Sequence, residues 1–222
     1  MLYDWLTLIG VTFGALLPIA NPFSTAPVFV AITRQMSHAH RWQQARLAAI
    51  YMAAVLLVSL LAGALILEFF GISLPALRIA GGLVIARIGF SMLNPEPEEK
   101  LPEEDQKEAL DKRDIAFTPI AMPMLSGPGS IAVTISMATS VTRPRDYLAV
   151  GIGILIVAFL SWLVLRSSTR IVDFLGSTGV NVLTRIMGLI LVCIGIQFIA
   201  TGIFELVTDP GVVKAIYEAY PD

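Results

Sequence analysis

Charge is scarce in this sequence. Asp, Glu, Lys and Arg make up 14% of its 222 residues, against about 25% in soluble globular domains. That shortfall excludes an ordinary water-facing surface and points to lipid as the solvent. The net charge of −2 leaves no basic footprint for nucleic acid. Cysteine and histidine are rarer still, with Cys193, His38 and His40 the complete set. One thiol excludes a disulfide within the chain, and so few ligands exclude a Cys/His metal cluster. Cys193 sits in the apolar run Leu189–Ile196 and reads as a small packing residue of a helix. The two histidines read as solvated members of a basic loop. No apolar segment contains a histidine, and GxSxG, HExxH and an ATP-binding P-loop are all missing. The chain therefore reads as neither an intramembrane hydrolase nor a primary pump, and as requiring no metal or cofactor.

What the sequence has in quantity is apolar length. Mean hydropathy is +0.77 and 56% of residues are hydrophobic. A membrane span needs about 20 mostly apolar residues. Six candidates stand out: Trp5–Ile32, Leu47–Leu67, Ile79–Leu93, Ile115–Ala138, Leu148–Leu165 and Ile186–Leu206. The third is short and glycine-rich, with a start near Leu74 as an alternative. The opening MLYDWLTLIG has Asp4 where a signal peptide carries Lys or Arg, so the first segment is expected to stay as a span. Expected loops hold Arg34, Arg41, Arg46, Lys100, Lys107, Lys112, Arg113, Arg166, Arg170 and Arg185 on one side. The other side holds Arg78, Arg143, Arg145 and Lys214. Positive residues favour the cytoplasm, which puts both termini outside. Residues 94–114, charge-dense and proline-containing, read as a solvated cytoplasmic linker with a short helix at Glu103–Lys112.

The strongest pattern is internal. Residues 18–33 read PIANPFSTAPVFVAIT and residues 119–134 read PIAMPMLSGPGSIAVT. At a shift of 101, Pro18, Pro22 and Pro27 fall on Pro119, Pro123 and Pro128. With proline at about 5% usage, three such coincidences arise about once in 10⁴ registers. RIAGG at Arg78–Gly82 is echoed by RIMGL at Arg185–Leu189. The expected architecture is all-α integral membrane: two three-helix repeats, residues 1–93 and 115–222, in one transmembrane domain. Three spans are an odd number, so the second repeat must run in the opposite sense. This is the inverted-topology design of many secondary transporters.

Three prolines within ten residues disfavour an unbroken helix, because each removes a donor and pushes its predecessor from helical geometry. Spans 1 and 4 are thus expected to be discontinuous. Backbone groups freed in lipid must be satisfied by protein, water or ligand. Helix N-termini suit a carboxylate; carbonyls and the hydroxyls of Ser24, Thr25, Ser126 and Ser130 suit an ammonium group or coupling cation. Asn21 offers donor and acceptor together. A small zwitterion or polar solute fits such a place. The competing reading is a pair of proline-kinked helices whose small residues permit close packing.

At these residues the chain resembles the MarC family of bacterial membrane proteins, also called the neutral amino acid transporter family. The resemblance is carried by PIANPFSTAPVF at Pro18–Phe29, GISLPALRIAGGLVIARIGFSML at Gly71–Leu93, PIAMPMLSGPGSIA at Pro119–Ala132 and RIMGLILVCIGIQFIATGI at Arg185–Ile203. It implies six spans, a bacterial cytoplasmic (inner) membrane and transport of small neutral amino acids such as glycine, alanine or serine. Family binding segments map onto Asn21, Phe23, Ser24, Thr25 and Ala26, and onto Ser126, Gly127, Gly129 and Ser130. Met122 stands where the first repeat has Asn21, so the implied site is asymmetric. Alternating access, with proton or sodium coupling, is the expected mode. A channel or a non-transporting scaffold is the alternative. Arg87, inside the third span, reads as a snorkelling residue without a transport role. Gln197 is expected to bond a neighbouring helix, and Glu68 and Glu205 to sit at wet outer ends.

Overall fold

A computed structural model describes residues 2–94, 114–141 and 143–210. The charged linker, its expected short helix and Lys214 lie outside the described residues. Among the described residues eight helical elements follow one another: α1 Leu2–Ala20, α2 Pro22–Ile32, α3 His38–Phe69, α4 Leu74–Leu93, α5 Ala116–Leu125, α6 Pro128–Ser140, α7 Pro144–Arg166 and α8 Ser168–Val207. Among the described residues there is no strand.

Local chemistry sets the ends of these helices. Ser37 caps α3 by accepting from the His40 N–H, and Ser73 caps α4 by accepting from Ala76. Pro144 opens α7 at its first turn, where a missing N–H costs nothing. Gly71, at φ 64, closes α3. The Ile72 N–H reaches the Leu67 carbonyl at 2.9 Å and the Gly71 N–H reaches Glu68 at 3.1 Å. That pair of bonds is a Schellman closure, which needs the left-handed residue glycine supplies.

Among the described residues four helices are individually long and apolar enough to cross a membrane: His38–Phe69, Leu74–Leu93, Pro144–Arg166 and Thr178–Val207. Two bent pairs qualify jointly, Trp5–Ala20 with Pro22–Ile32 at 40° and Ala116–Leu125 with Pro128–Ser140 at 63°. The total is six if each pair is one span. Large apolar side chains cover the outside, including Leu61, Leu65 and Phe159. In water they would form an aggregation-prone patch; in lipid they are at home.

Several expectations change. His38 and His40 are not loop residues but lie in the first turn of α3, because Ser37 starts that helix well before the apolar run. Of the two starts expected for the third span, the structure has the one at Leu74, where Ser73 caps it. No loop of any length separates spans 5 and 6, since α8 starts at Ser168 and bends at Gly176, φ 63. Arg170 and Arg185 are therefore helical. Cys193 is exposed on the outer face of α8 rather than packed inside. Gln197 bonds Thr201 one turn along its own helix at 3.3 Å, not a neighbouring helix. Arg87 is exposed.

The closest helix pair is α4 with α8, which run antiparallel. A Cβ at Gly82 would lie 2.6 Å from the Gly195 carbonyl oxygen, and one at Gly89 would lie 2.7 Å from that of Gly188. Only glycine allows backbones to meet at this distance. The buried positions of α4 include Gly82, Ile85, Ala86 and Gly89, and those of α8 include Gly188, Leu191, Val192 and Gly195. A shift of 106 carries the first set onto the second. This register differs by one residue from the RIAGG/RIMGL echo, because packing follows the glycine faces and not the arginines.

Candidate substrate site at the two helix breaks

The first break is one residue wide. Asn21 has φ 36 and ψ 64, left-handed, and separates α1 from α2. Its own N–H closes α1 on the Leu17 carbonyl at 2.9 Å. Pro22 then begins α2. Asparagine tolerates left-handed geometry better than other residues with a Cβ, because its short amide bonds locally. Here Oδ1 accepts from the Ser24 N–H at 3.3 Å, while Nδ2 donates to Ser24 Oγ at 2.7 Å. The same Nδ2 lies 3.7 Å from Met92 Sδ on α4. Ser24 Oγ is 3.1 Å from Thr184 Oγ1 on α8. Asn21 is 5% exposed, so this polar chain lies within the protein.

The second break is longer. In α5, Thr118 (φ −123, ψ 122) and Met122 (φ −125, ψ 122) are extended. Each precedes a proline, which disfavours the helical region for the residue before it. The intervening turns widen to a π-type coil. Its entry is held by Gln44 of α3, a buried residue whose Oε1 accepts from the Ile115 N–H at 2.9 Å. At its exit, Ser126 donates through both N–H and Oγ to the Ala121 carbonyl, each at 2.8 Å. Gly127 precedes α6 and brings no side-chain cap, leaving first-turn N–H groups for another acceptor.

Asn21, Thr25, Ala26, Ser126, Gly127, Gly129 and Ser130 are buried, while Phe23 and Ser24 are half-buried. Of the prolines, Pro18 and Pro22 are buried, Pro27 and Pro119 half-buried, and Pro123 and Pro128 exposed. The breaks approach each other at Gly129, where a Cβ would meet Ile85 at 2.8 Å and Ile19 at 3.3 Å. Several hydroxyls are used within their own segments. Thr25 Oγ1 bonds the Asn21 carbonyl at 3.3 Å, and Ser130 Oγ bonds that of Leu125 at 3.4 Å. Bonded to nearby carbonyls, neither hydroxyl is left an unpaired donor in the membrane interior. Polar reach between elements belongs instead to Asn21 and Ser24.

Sequence reasoning missed Thr184 and Met92, the partners of that pair. Thr184 immediately precedes the RIMGL motif, which was the available signal. It also missed a second polar cluster at the opposite end of α4. Arg78 is a helix residue whose side chain is 12% exposed, not a loop charge. It forms an ion pair with Glu205. Arg78 Nε donates to Ser136 Oγ at 2.8 Å, and Nη2 donates to Ser140 Oγ at 3.2 Å. One guanidinium thereby ties α4, α6 and α8 together. Residues 78 and 92 are about 21 Å apart along α4, at about 1.5 Å per residue.

Polar side chains thus lie at both ends of a glycine-packed helix pair, with two broken segments beside it. Residues 6–207 match the family model described as MarC family integral membrane protein. The chain belongs to the MarC family. It is an integral membrane protein, as its relatives are. A protein of Escherichia coli O1:K1 / APEC named UPF0056 inner membrane protein MarC is 40% identical, covering 92% of this chain and 97% of that protein. Proteins of the same name from Escherichia coli strain K12 and Shigella flexneri are each 39% identical over the same shares. No solved structure matches.

Proposed function

We propose that this MarC-family chain is a secondary transporter of small neutral amino acids, of the glycine, alanine or serine class. It works by alternating access between two inverted-topology three-helix repeats, with proton or sodium coupling. The substrate binds where α1 meets α2 and where α5 meets α6.

One observation carries the reading: Gly129, just past the second break, sits against both Ile19, just before the first, and Ile85 of α4. Two irregular segments meeting inside an apolar bundle match the architecture of transporter sites. The uncapped start of α6 suits a carboxylate, and the Asn21 side chain has both donor and acceptor for a zwitterion. The repeat is supported by reciprocal packing. Under the shift of 106, Gly82 becomes Gly188 and Gly89 becomes Gly195. Gly82 packs on Gly195 and Gly89 on Gly188, so each glycine meets the counterpart of the other. That reciprocity is what a two-fold relation between the halves would produce.

Purified protein in proteoliposomes, offered labelled glycine, alanine and serine with and without a proton or sodium gradient, tests this. Saturable gradient-driven uptake, lost in Asn21→Ala and Gly127→Leu, is expected. Full uptake in both variants would dismiss the site, and no uptake of any amino acid would leave a scaffold or channel.

A further inference from the structure

A polar groove lies between the start of α3 and the end of α7, and none of the residues at the helix breaks lines it. Its volume is about 360 Å³, and its walls are Ala39, Trp42, Gln43, Arg46, Trp162 and Arg166. The Arg166 guanidinium is stacked 4.7 Å from the centre of the Trp42 ring and 5.2 Å from that of Trp162. Two aromatic faces fix its plane and occupy its flanks, so its N–H edges remain for an acceptor. Arg46 adds a second guanidinium. Among the described residues neither arginine pairs with a carboxylate. Two guanidiniums lining one groove suit an anion with several oxygens, such as a phosphate.

The surroundings identify the phosphate's carrier. Tryptophan concentrates at the headgroup level of membranes, and two of the three tryptophans in the chain line this groove. Below it the walls turn apolar and exposed. Ile50 follows Arg46 one turn along α3, and Leu163 and Phe159 precede Arg166 along α7. The Phe159 ring packs on Trp162 with centroids 5.5 Å apart. A headgroup in the groove would lay its acyl chains along this strip; a free phosphate would leave the strip without a role. We propose that the groove is a binding site for an anionic phospholipid, with its phosphodiester held by Arg46 and Arg166 and its glycerol edge by Gln43. Basic pockets between membrane helices take such headgroups. The site is independent of the transport reading.

The test uses the purified full chain in detergent micelles, titrated with dihexanoylphosphatidylglycerol while tryptophan emission is followed. A saturable change is expected, with apparent affinity about fivefold weaker in Arg46→Gln and in Arg166→Gln. Arg170→Gln, which removes the same charge nearby but lines no part of the groove, is expected to stay within about twofold of the parent. Arg46 has no described polar partner, so its variant keeps the test available even if Arg166→Gln misfolds. An equal response to dihexanoylphosphatidylcholine would overturn the anionic preference. Competition by millimolar inorganic phosphate at full strength would show a free-anion site instead. Equal weakening by Arg170→Gln, or no saturable response, would reduce the groove to diffuse surface charge.

Discussion

Ser24 Oγ and Thr184 Oγ1 lie 3.1 Å apart, joining the first helix break to the last long helix across 160 residues of chain. Asn21 holds Ser24 from the other side. The break is therefore part of a three-residue polar chain.

Two substitutions at Asn21 separate backbone from side chain. Asn21→Gly keeps the left-handed residue and is expected to fold, yet to lose at least tenfold in amino-acid uptake. Asn21→Ala loses the cap, about 1 kcal/mol, and strains the φ of 36 by about 1–2 kcal/mol more. Thermal unfolding in detergent should rank parent, glycine and alanine in that order of stability. Thr184→Val is expected to raise the half-saturating concentration about fivefold, the worth of one neutral hydrogen bond. Wild-type uptake in all three would refute a substrate role for the chain.

Arg78 and Glu205 should behave as a unit. Either Arg78→Gln or Glu205→Gln leaves its partner charged in a largely apolar setting, which costs about 1–3 kcal/mol. The double variant is expected to be less destabilised than the two single effects added together. A double-mutant cycle of denaturant unfolding measures that coupling. Strict additivity would mean the pair acts as two solvated charges.

Glycine substitutions should divide by location. At Gly195 a Cβ meets the Ala86 nitrogen at 2.6 Å and the Gly82 oxygen at 2.7 Å, both backbone atoms. Gly195→Ala is expected to cost about 2–3 kcal/mol, because neither wall can yield. At Gly10 a Cβ meets nothing within 4 Å. Gly10→Ala is expected to be neutral or to stabilise by about 0.5–1 kcal/mol through helix propensity. Equal melting shifts for the two would contradict the close α4–α8 approach.

Much of the helix inventory was legible in the chain because lipid demands long apolar runs and prolines leave a visible trace. Pro22 marked where α1 gives way to α2, and Pro119 and Pro123 marked the extended residues of α5. The neighbours were not legible. Thr184 looks like any threonine at the edge of an apolar run, and Arg78 looks like a loop charge. Their roles depend on which faces of α2, α6 and α8 turn toward them. The repeat of glycines at 82, 89, 188 and 195 was present in the letters, but the arginine echo one register away was more conspicuous.

By itself, then, the sequence determined the solvent, the approximate number of apolar segments and the places where a helix could not continue. Those follow from local rules: hydropathy over about 20 residues and the backbone restriction around proline. Tertiary structure alone decided what the proline-rich segments face. It turned the hydroxyls of Thr25, Ser126 and Ser130 onto nearby carbonyls, left Asn21 and Ser24 to reach across to Met92 and Thr184, and seated Gly129 against Ile19 and Ile85. The reason is physical: a hydroxyl's partner is set by distance in space, and helices packed a few ångströms apart can lie a hundred residues apart in the chain.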